Sequence, residues 1–145
     1  MHDTFRVRCR GIVIHDNKLL LVKHDNGNVF YSFPGGHLDY GEDPQACMAR
    51  ELEEELGVKA DVGKLVAVFT FNDSKRNNEQ VFEFFFLINN PEAFLFHEEL
   101  EKTHDHEIGE VRWVSKGEEL DVRPQEMFEL WNDGSLGRNE VAFIS

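Results

Sequence analysis

Residues 36–58 read GHLDYGEDPQACMARELEEELGV, and this stretch decides the fold. Asp43 is a good N-cap, Pro44 suits the first position of a helix, and Gly57 suits a C-terminal cap. Between these signals no Gly or Pro interrupts residues 45–56. The stretch therefore predicts a helix from Gln45 to Leu56, rich in glutamate and preceded by a loop that begins with glycine.

Three glutamates share one face of this helix. Each helical residue advances by about 100°, so Glu51, Glu54 and Glu55 fall within an arc of about 100°. Glu51 repels each of the other two by about 0.2–0.5 kcal/mol, and the helix dipole disfavours anions in this half. A hard divalent cation removes the conflict, because carboxylates are ligands that Mg²⁺ and Mn²⁺ prefer. The face predicts a metal site, although a bare Glu-rich run is more often solvated surface.

The spacing of the surrounding residues separates these two interpretations. Glycine, five residues, glutamate, seven residues and then R-E-U-x-E-E-x-G-U, with U apolar, is the signature of the Nudix hydrolases. The chain resembles that signature at all nine specified positions, with no departure. The matching residues are Gly36, Glu42, Arg50, Glu51, Leu52, Glu54, Glu55, Gly57 and Val58. The resemblance implies an α/β fold, namely an α/β/α sandwich with a mixed β-sheet.

The resemblance also implies a reaction and a set of ligands. Nudix hydrolases cleave a pyrophosphate bond in a nucleoside diphosphate linked to another moiety, and they use Mg²⁺, with Mn²⁺ as an alternative. By this resemblance Glu51, Glu54 and Glu55 bind the metal, together with the backbone carbonyl of Gly36. Glu51 and Glu54 are accordingly expected to be catalytic. Arg50 flanks the acidic face, so we expect it to hold a carboxylate in one rotamer and thereby to support catalysis.

A further carboxylate outside the signature is expected to act as general base or as an additional metal ligand. Glu107 is the first candidate, since it resembles the family's acidic position ahead of a Trp-containing strand. A base must come within about 2.6–3.2 Å of the group that it deprotonates. Competing side chains on the same loop are Glu98, Glu99, His104, Asp105 and His106. The alternative is that the loop is merely solvated.

Candidate substrate-binding residues lie in the N-terminal part of the chain. Arg6, Arg8 and Arg10 alternate along a predicted strand and therefore share one of its faces. They are predicted to bind substrate phosphates, with Lys23 and Tyr31 as weaker candidates; an exposed polar face is an equal alternative. Alternating phenylalanines could stack on a base, but such rows more often belong to a core. They are Phe82, Phe84 and Phe86, and Phe69 and Phe71.

Composition and charge restrict the class of partner. A chain of 145 residues fits a single domain, taken as residues 1–145. The net charge of −13 argues against a nucleic acid polymer or an anionic membrane as partner. Two cysteines outside any CxxC pair argue against a disulfide framework and favour the cytoplasm. The expected partner is a small nucleotide substrate, and whether the chain forms a homodimer is left open.

Sequence markers outside the signature leave the substrate undetermined. The fifteenth residue after Val58 is Asp73 and not a proline, which weakens the case for an ADP-ribose pyrophosphatase. A nucleoside triphosphate or a nucleotide sugar therefore stays open. A non-catalytic Nudix domain that binds a nucleotide and regulates another process is the alternative from a different class. The complete acidic set argues against that alternative, because a sensor has no need of all three glutamates.

The remaining pattern predicts the other elements of the fold. Apolar alternation between turn signals indicates strands, and a second uninterrupted stretch near the C-terminus indicates a helix. The predicted strands cover residues 6–15, 18–24, 29–33, 64–72, 79–88 and 110–115, and the second helix covers residues 124–131.

Overall fold

The computed structural model describes residues 4–95, 110–137 and 140–145. Two α-helices, α1 (Pro44–Leu56) and α2 (Gln125–Asn132), and one 3-10 helix (Pro91–Phe94) are found in this part of the chain. Its strands are β1 (Phe5–Ile12), β2 (Ile14–His15), β3 (Lys18–Asp25), β4 (Val29–Ser32), β5 (Gly35–His37), β6 (Val62–Asp73), β7 (Glu79–Ile88), β8 (Glu110–Ser115), β9 (Val122–Arg123) and β10 (Ala142–Ile144).

The strands form two mixed sheets. The first has the order β10-β6-β7-β1-β5, in which β1 is parallel to β7 and antiparallel to β5. The second has the order β2-β3-β4-β9, and β8 also pairs with β3. The predicted strand 6–15 is in fact two strands, because the chain leaves the first sheet after Ile12 and enters the second at Ile14. Apolar alternation continues through both segments, so it could not reveal the change of sheet.

The helix α1 confirms the predicted capping signals. The side chain of Asp43 accepts a hydrogen bond from the backbone N–H of Ala46 at 2.9 Å. Gly57 adopts the left-handed conformation, with φ of 69°, and donates its N–H to the Glu53 carbonyl. A glycine takes this conformation without the steric cost that a Cβ would add. The helix thus begins and ends at fixed points, which sets the position of its acidic face.

Two apolar cores, one on each side of the sheets, complete an α/β/α sandwich. The buried face of α1, which includes Met48, Leu52 and Leu56, packs on the first core. The second core contains Phe128 and Trp131 of α2. The predicted fold class is therefore confirmed, with two mixed sheets in the central layer.

Most of the phenylalanine rows belong to these cores, as expected. Phe84 and Phe86 pack in the first core, and Phe69 and Phe71 pack in the second. Phe82 instead contacts the exposed Phe5, with ring centroids 6.1 Å apart.

Candidate active site

A groove of about 1260 Å³ runs along the face of the first sheet and past the acidic side of α1. Glu51, Glu54 and Glu55 line it, and so does Gly36 on β5. The structure therefore brings the four residues predicted as metal ligands to one place. Phe69 and Phe71 also line the groove.

The glycine pair of β5 runs directly against the acidic helix. A Cβ on Gly36 would overlap the carboxylate of Glu51, so the backbone here leaves space only for a hydrogen at that position. The N–H of the preceding Gly35 donates to Glu55 Oε2 at 3.3 Å. The backbone of β5 thus lies directly beside two carboxylates of α1, those of Glu51 and Glu55.

Arg50 is held by Glu42, the acidic residue of the signature that precedes the helix. Its Nε donates to Glu42 Oε2 at 2.7 Å and its Nη2 to Glu42 Oε1 at 2.9 Å, while Nη2 also donates to the His37 carbonyl. Hydrogen bonds from Arg50, followed by that from the Asp39 N–H, lower the pKa of Glu42 to about 2. Because its pKa is lowered, ionised Glu42 contributes stability to the fold. This contribution is fully present above the usual pKa of 4.5 and is lost as pH falls towards 2. Glu42 therefore stays ionised at any working pH.

The remaining terminal nitrogen of Arg50 links two of the acidic side chains. Nη1 donates to Glu51 at 3.0 Å and to Glu54 at 3.1 Å. Burial raises the pKa of Glu51, and the bonds from Arg50 oppose that shift. Among the described residues, no three His, Cys, Asp or Glu side chains are gathered as a ready ligand set. In these rotamers Arg50 supplies the positive charge that the acidic face requires.

We expect Arg50→Lys to weaken the Mg²⁺ affinity or the turnover by about 10–100-fold, as loss of a residue that orients metal ligands does. Lysine keeps the charge but loses the planar fork that holds Glu42 while it reaches Glu51 and Glu54. Isothermal titration with Mn²⁺ and steady-state kinetics measure the two quantities. An increase in the Michaelis constant alone, with metal affinity and turnover unchanged, would instead assign Arg50 to substrate binding.

The three arginines of β1 differ in their positions relative to the groove. Arg8 and Arg10 line it, whereas Arg6 is not among the described residues that do. Arg6 pairs with Glu79 at 2.6 Å and lies 2.8 Å from His37 Nε2. Only two of the three predicted phosphate contacts therefore face the groove.

Tyr31 lies on the wrong face of β4 for the predicted substrate contact. Its ring is buried in the second core, and its hydroxyl accepts a hydrogen bond from Arg112 at 3.3 Å. Side chains alternate along a strand, so Phe30 and Ser32 face the groove instead. The weaker candidate Lys23 forms a 3.8 Å ion pair with Glu110 and is not among the described lining residues.

Sequence reasoning missed a second set of groove residues. Phe30 stacks on His24 at 4.6 Å, and the guanidinium of Arg123 lies 4.0 Å from the centre of the same ring. Glu83 is buried beside Arg8 and Arg10. One signal could have found Glu83: it is the single charged residue within the apolar run VFEFFFLI of β7.

The predicted off-signature base lies outside the described residues. This applies to Glu107 and to each competing candidate, namely Glu98, Glu99, His104, Asp105 and His106. The two cysteines are described, and both are buried free thiols in the first core. Cys47 is not among the described lining residues of the groove.

An α/β/α sandwich in which a capped helix carries the acidic signature beside a glycine-containing strand is typical of the enzymes that hydrolyse phosphate bonds and share this signature. A model of the NUDIX domain matches residues 5–133. The chain belongs to the Nudix family.

Curated relatives match part of the chain. An ADP-ribose pyrophosphatase of Methanocaldococcus jannaschii is 38% identical over 66 residues, which are 43% of this chain and 38% of the relative. An 8-oxo-dGTP diphosphatase of Haemophilus influenzae is 40% identical over 57 residues, 39% of this chain and 40% of the relative. The chain thus spans less than half the length of these relatives.

Solved structures share the fold over most of the chain. The E. coli ORF135 protein superimposes with a TM-score of 0.69 at 23% identity, covering 89% of this chain and 87% of that one. A MutT Nudix hydrolase from Burkholderia pseudomallei gives 0.68 at 23% identity, covering 88% and 98%. In the described part of the chain, no helix has the length and apolar character needed to cross a membrane.

Proposed function

We propose that this protein hydrolyses a pyrophosphate bond in a nucleoside diphosphate linked to another moiety, with Mg²⁺ or Mn²⁺ as cofactor. The observation that carries the proposal is the approach of β5 to α1. Gly36 leaves space for the Glu51 carboxylate directly against the backbone, and Glu54 and Glu55 line the same groove. A solvated acidic surface has no need of this close approach.

The chemistry of the donor set fits a divalent metal ion. Glu51, Glu54, Glu55 and the Gly36 carbonyl are all oxygen donors, the type that Mg²⁺ and Mn²⁺ bind. Glu51 and Glu54 would have to leave Arg50 Nη1 to hold an ion, while the bonds of Glu42 to Nε and Nη2 would keep the guanidinium in place. A bound ion would supply a Lewis acid for the phosphate oxygens and would make the attacking water more acidic.

The groove offers cationic side chains to an anionic substrate, although its described lining also contains six acidic residues whose charge a metal ion would offset. Its described lining includes five cationic side chains, Arg8, Arg10, Lys75, Arg76 and Arg123. We propose that Arg8 and Arg10 bind substrate phosphates and that the aromatic walls contact the organic moiety. Guanidinium groups suit this role because they present several N–H donors in one plane.

Glu107 stays the proposed off-signature base, with a role in deprotonating the attacking water or in holding a further metal ion. Glu51 and Glu54 serve as ligands in this scheme, so the proton acceptor must come from another side chain. The Trp113 side chain packs against the first core on β8, the strand that follows residue 107 in the sequence.

The relatives define the substrates to test. ADP-ribose enters the panel because the relative from M. jannaschii is an ADP-ribose pyrophosphatase, although the expected proline is replaced by Asp73. The H. influenzae relative adds 8-oxo-dGTP. A nucleoside triphosphate and a nucleotide sugar complete the set. The assembly state and the cytoplasmic location stay predictions.

We expect at least one compound of this panel to be hydrolysed with Mg²⁺ or Mn²⁺. Excess EDTA should reduce the rate at least about 100-fold, since the ion contributes several kcal/mol to the barrier, and added Mg²⁺ should restore it. The products are separated by chromatography and measured: AMP and ribose 5-phosphate from ADP-ribose, a nucleoside monophosphate and a sugar phosphate from a nucleotide sugar, and phosphate or pyrophosphate from a nucleoside triphosphate. Full activity under EDTA would exclude the metal mechanism. Tight binding of a nucleotide without any turnover would favour the regulatory alternative.

A further inference from the structure

Glu83 is a buried carboxylate at the edge of the groove. It exposes 4% of its surface, although its neighbours on β7 are almost all apolar. In the pairing of β7 with β1 it stands opposite Arg8. A buried charge is costly unless it is paired, so its partners account for its presence.

One oxygen of Glu83 contacts two arginines at the same time. Arg10 Nε donates to Glu83 Oε2 at 3.0 Å, and Arg8 Nη1 lies 3.6 Å from the same atom. Each guanidinium has a second anchor: Arg10 Nη1 donates to the Phe33 carbonyl, and Arg8 Nε donates to His37 Nε2. Since an arginine has five N–H donors, both retain further donors for a ligand in the groove.

The two arginines are adjacent like charges on one strand face. Burial and the neighbouring Arg10 lower the pKa of Arg8, and Glu83 acts against that shift. Without the carboxylate, the two guanidiniums would repel each other and turn towards solvent. With it, they stay side by side facing the groove and together carry one net positive charge after pairing.

We infer that Glu83 is a positioning residue that holds Arg8 and Arg10 as a two-armed clasp for the diphosphate group of the substrate. The inference rests on the proposed function, in that the clasp serves a phosphate-containing substrate. A purely structural ion pair would not need to face the groove, and an apolar side chain would pack as well in its place. Glu83 itself acts through the arginines and does not contact the ligand.

The chain offers a matched control four residues away on the same strand. Glu79 also pairs with an arginine of β1, Arg6, at 2.6 Å. Neither residue of that pair is among the described lining of the groove. Glu79→Gln therefore makes the same change in net charge as Glu83→Gln and leaves the contacts of Glu83 with Arg8 and Arg10 in place, although Arg6 and Arg8 both contact His37 Nε2.

The test compares these two variants in binding and in kinetics. Glu83→Gln should raise the Michaelis constant of the best panel substrate about tenfold and keep turnover within about threefold of wild type. This result is expected when a lost interaction stabilised the bound substrate and the transition state equally. Titration calorimetry with ADP in excess EDTA should show a similar loss of affinity without any metal or turnover. Glu79→Gln should stay within about twofold of wild type in both measurements.

Several results would overturn the inference. Equal Michaelis constants and equal ADP affinities for the two variants would do so, as would a fall in turnover alone. If Glu83→Gln does not fold, as judged by circular dichroism, Arg8→Lys and Arg10→Lys replace it, because lysine keeps the charge but loses the fork. Unchanged ADP affinity in both lysine variants then rejects the clasp. A wild-type chain that binds ADP but hydrolyses no panel substrate rejects the proposed reaction and leaves the clasp intact.

Discussion

Replacing Glu54 or Glu55 with glutamine is expected to reduce turnover by about 10³-fold while the protein stays folded. Both carboxylates line the groove, and the amide is a neutral and weaker ligand for a hard cation. Loss of a ligand removes several kcal/mol of charge stabilisation from the transition state, and each 1.36 kcal/mol corresponds to a factor of about ten. Turnover at saturating substrate and Mg²⁺ is the quantity to measure.

Glu53 provides the control on the same helix. It is exposed, and it is not among the described residues that line the groove. Glu53→Gln changes the net charge and the helix in the same way, so it should keep turnover within about twofold. Surface substitutions of this kind change stability by about 0.5 kcal/mol or less, which thermal unfolding can verify. Wild-type turnover in both Glu54→Gln and Glu55→Gln would remove the acidic face from the mechanism.

The same amide series extends to the loop outside the signature. Glu107→Gln should reduce turnover without changing the affinity for Mn²⁺ if Glu107 is the base, and should change both if it is a ligand. The corresponding amide variants of Glu98, Glu99 and Asp105 are the comparison. Retained turnover in Glu107→Gln together with collapse in one of the others would move the assignment to that residue.

Local signals in the sequence were sufficient for the acidic helix. Asp43 and Gly57 act through hydrogen bonds within a few residues, so their positions fix the ends of α1 regardless of the rest of the fold. The spacing of the signature then determined which side chains would share the groove. This information is contained in a short stretch, and the structure agrees with it closely.

Contacts between distant segments could not be predicted in the same way. Alternation places Arg8 and Arg10 on one face of β1, but only the pairing of β1 with β7 shows that Glu83 lies between them. Tyr31 shows the converse case, in which a predicted substrate contact lies in the core. Its position in a strand was predicted, but the choice between core and groove depends on which neighbour covers each face.

The contacts of Arg50 were predicted only in part. Its position beside Glu51 and its reach to Glu42 follow from the spacing of the signature. The bond that also links Glu54 depends on the rotamer of a long side chain. Which carboxylates Arg50 contacts therefore depends on the side-chain rotamers in the folded site.

Gly36→Ala is expected to remove most of the activity without unfolding the protein. The added Cβ would overlap the Glu51 carboxylate, which is the flexible end of a side chain. Glu51 can rotate away, so the fold should lose only about 1 kcal/mol or less. The rotation takes the carboxylate out of the ligand set, and a displacement of about 1 Å at such a site can cost about 100-fold in rate.

Gly35→Ala is the contrasting variant, one residue earlier on the same strand. Here the Cβ would overlap the backbone carbonyl of Cys9 in β1, and the φ of Gly35 is +150°. Neither the neighbouring backbone nor the torsion angle can relax cheaply, so we expect about 3–5 kcal/mol of destabilisation from overlap and strain together. Thermal unfolding should therefore separate the two alanine variants clearly.

Of these two adjacent glycines, Gly35 is thus expected to matter for stability and Gly36 for catalysis. Unfolding midpoints, turnover and Mn²⁺ affinity should be measured for both variants against wild type. The expected result is a folded Gly36→Ala protein with weak metal binding and about 1% of the turnover, beside a Gly35→Ala protein that melts far lower. If Gly36→Ala kept full turnover and metal affinity, the close approach of Gly36 to Glu51 would have no part in the metal site. The acidic face would then have to bind its ion through Glu54 and Glu55 alone.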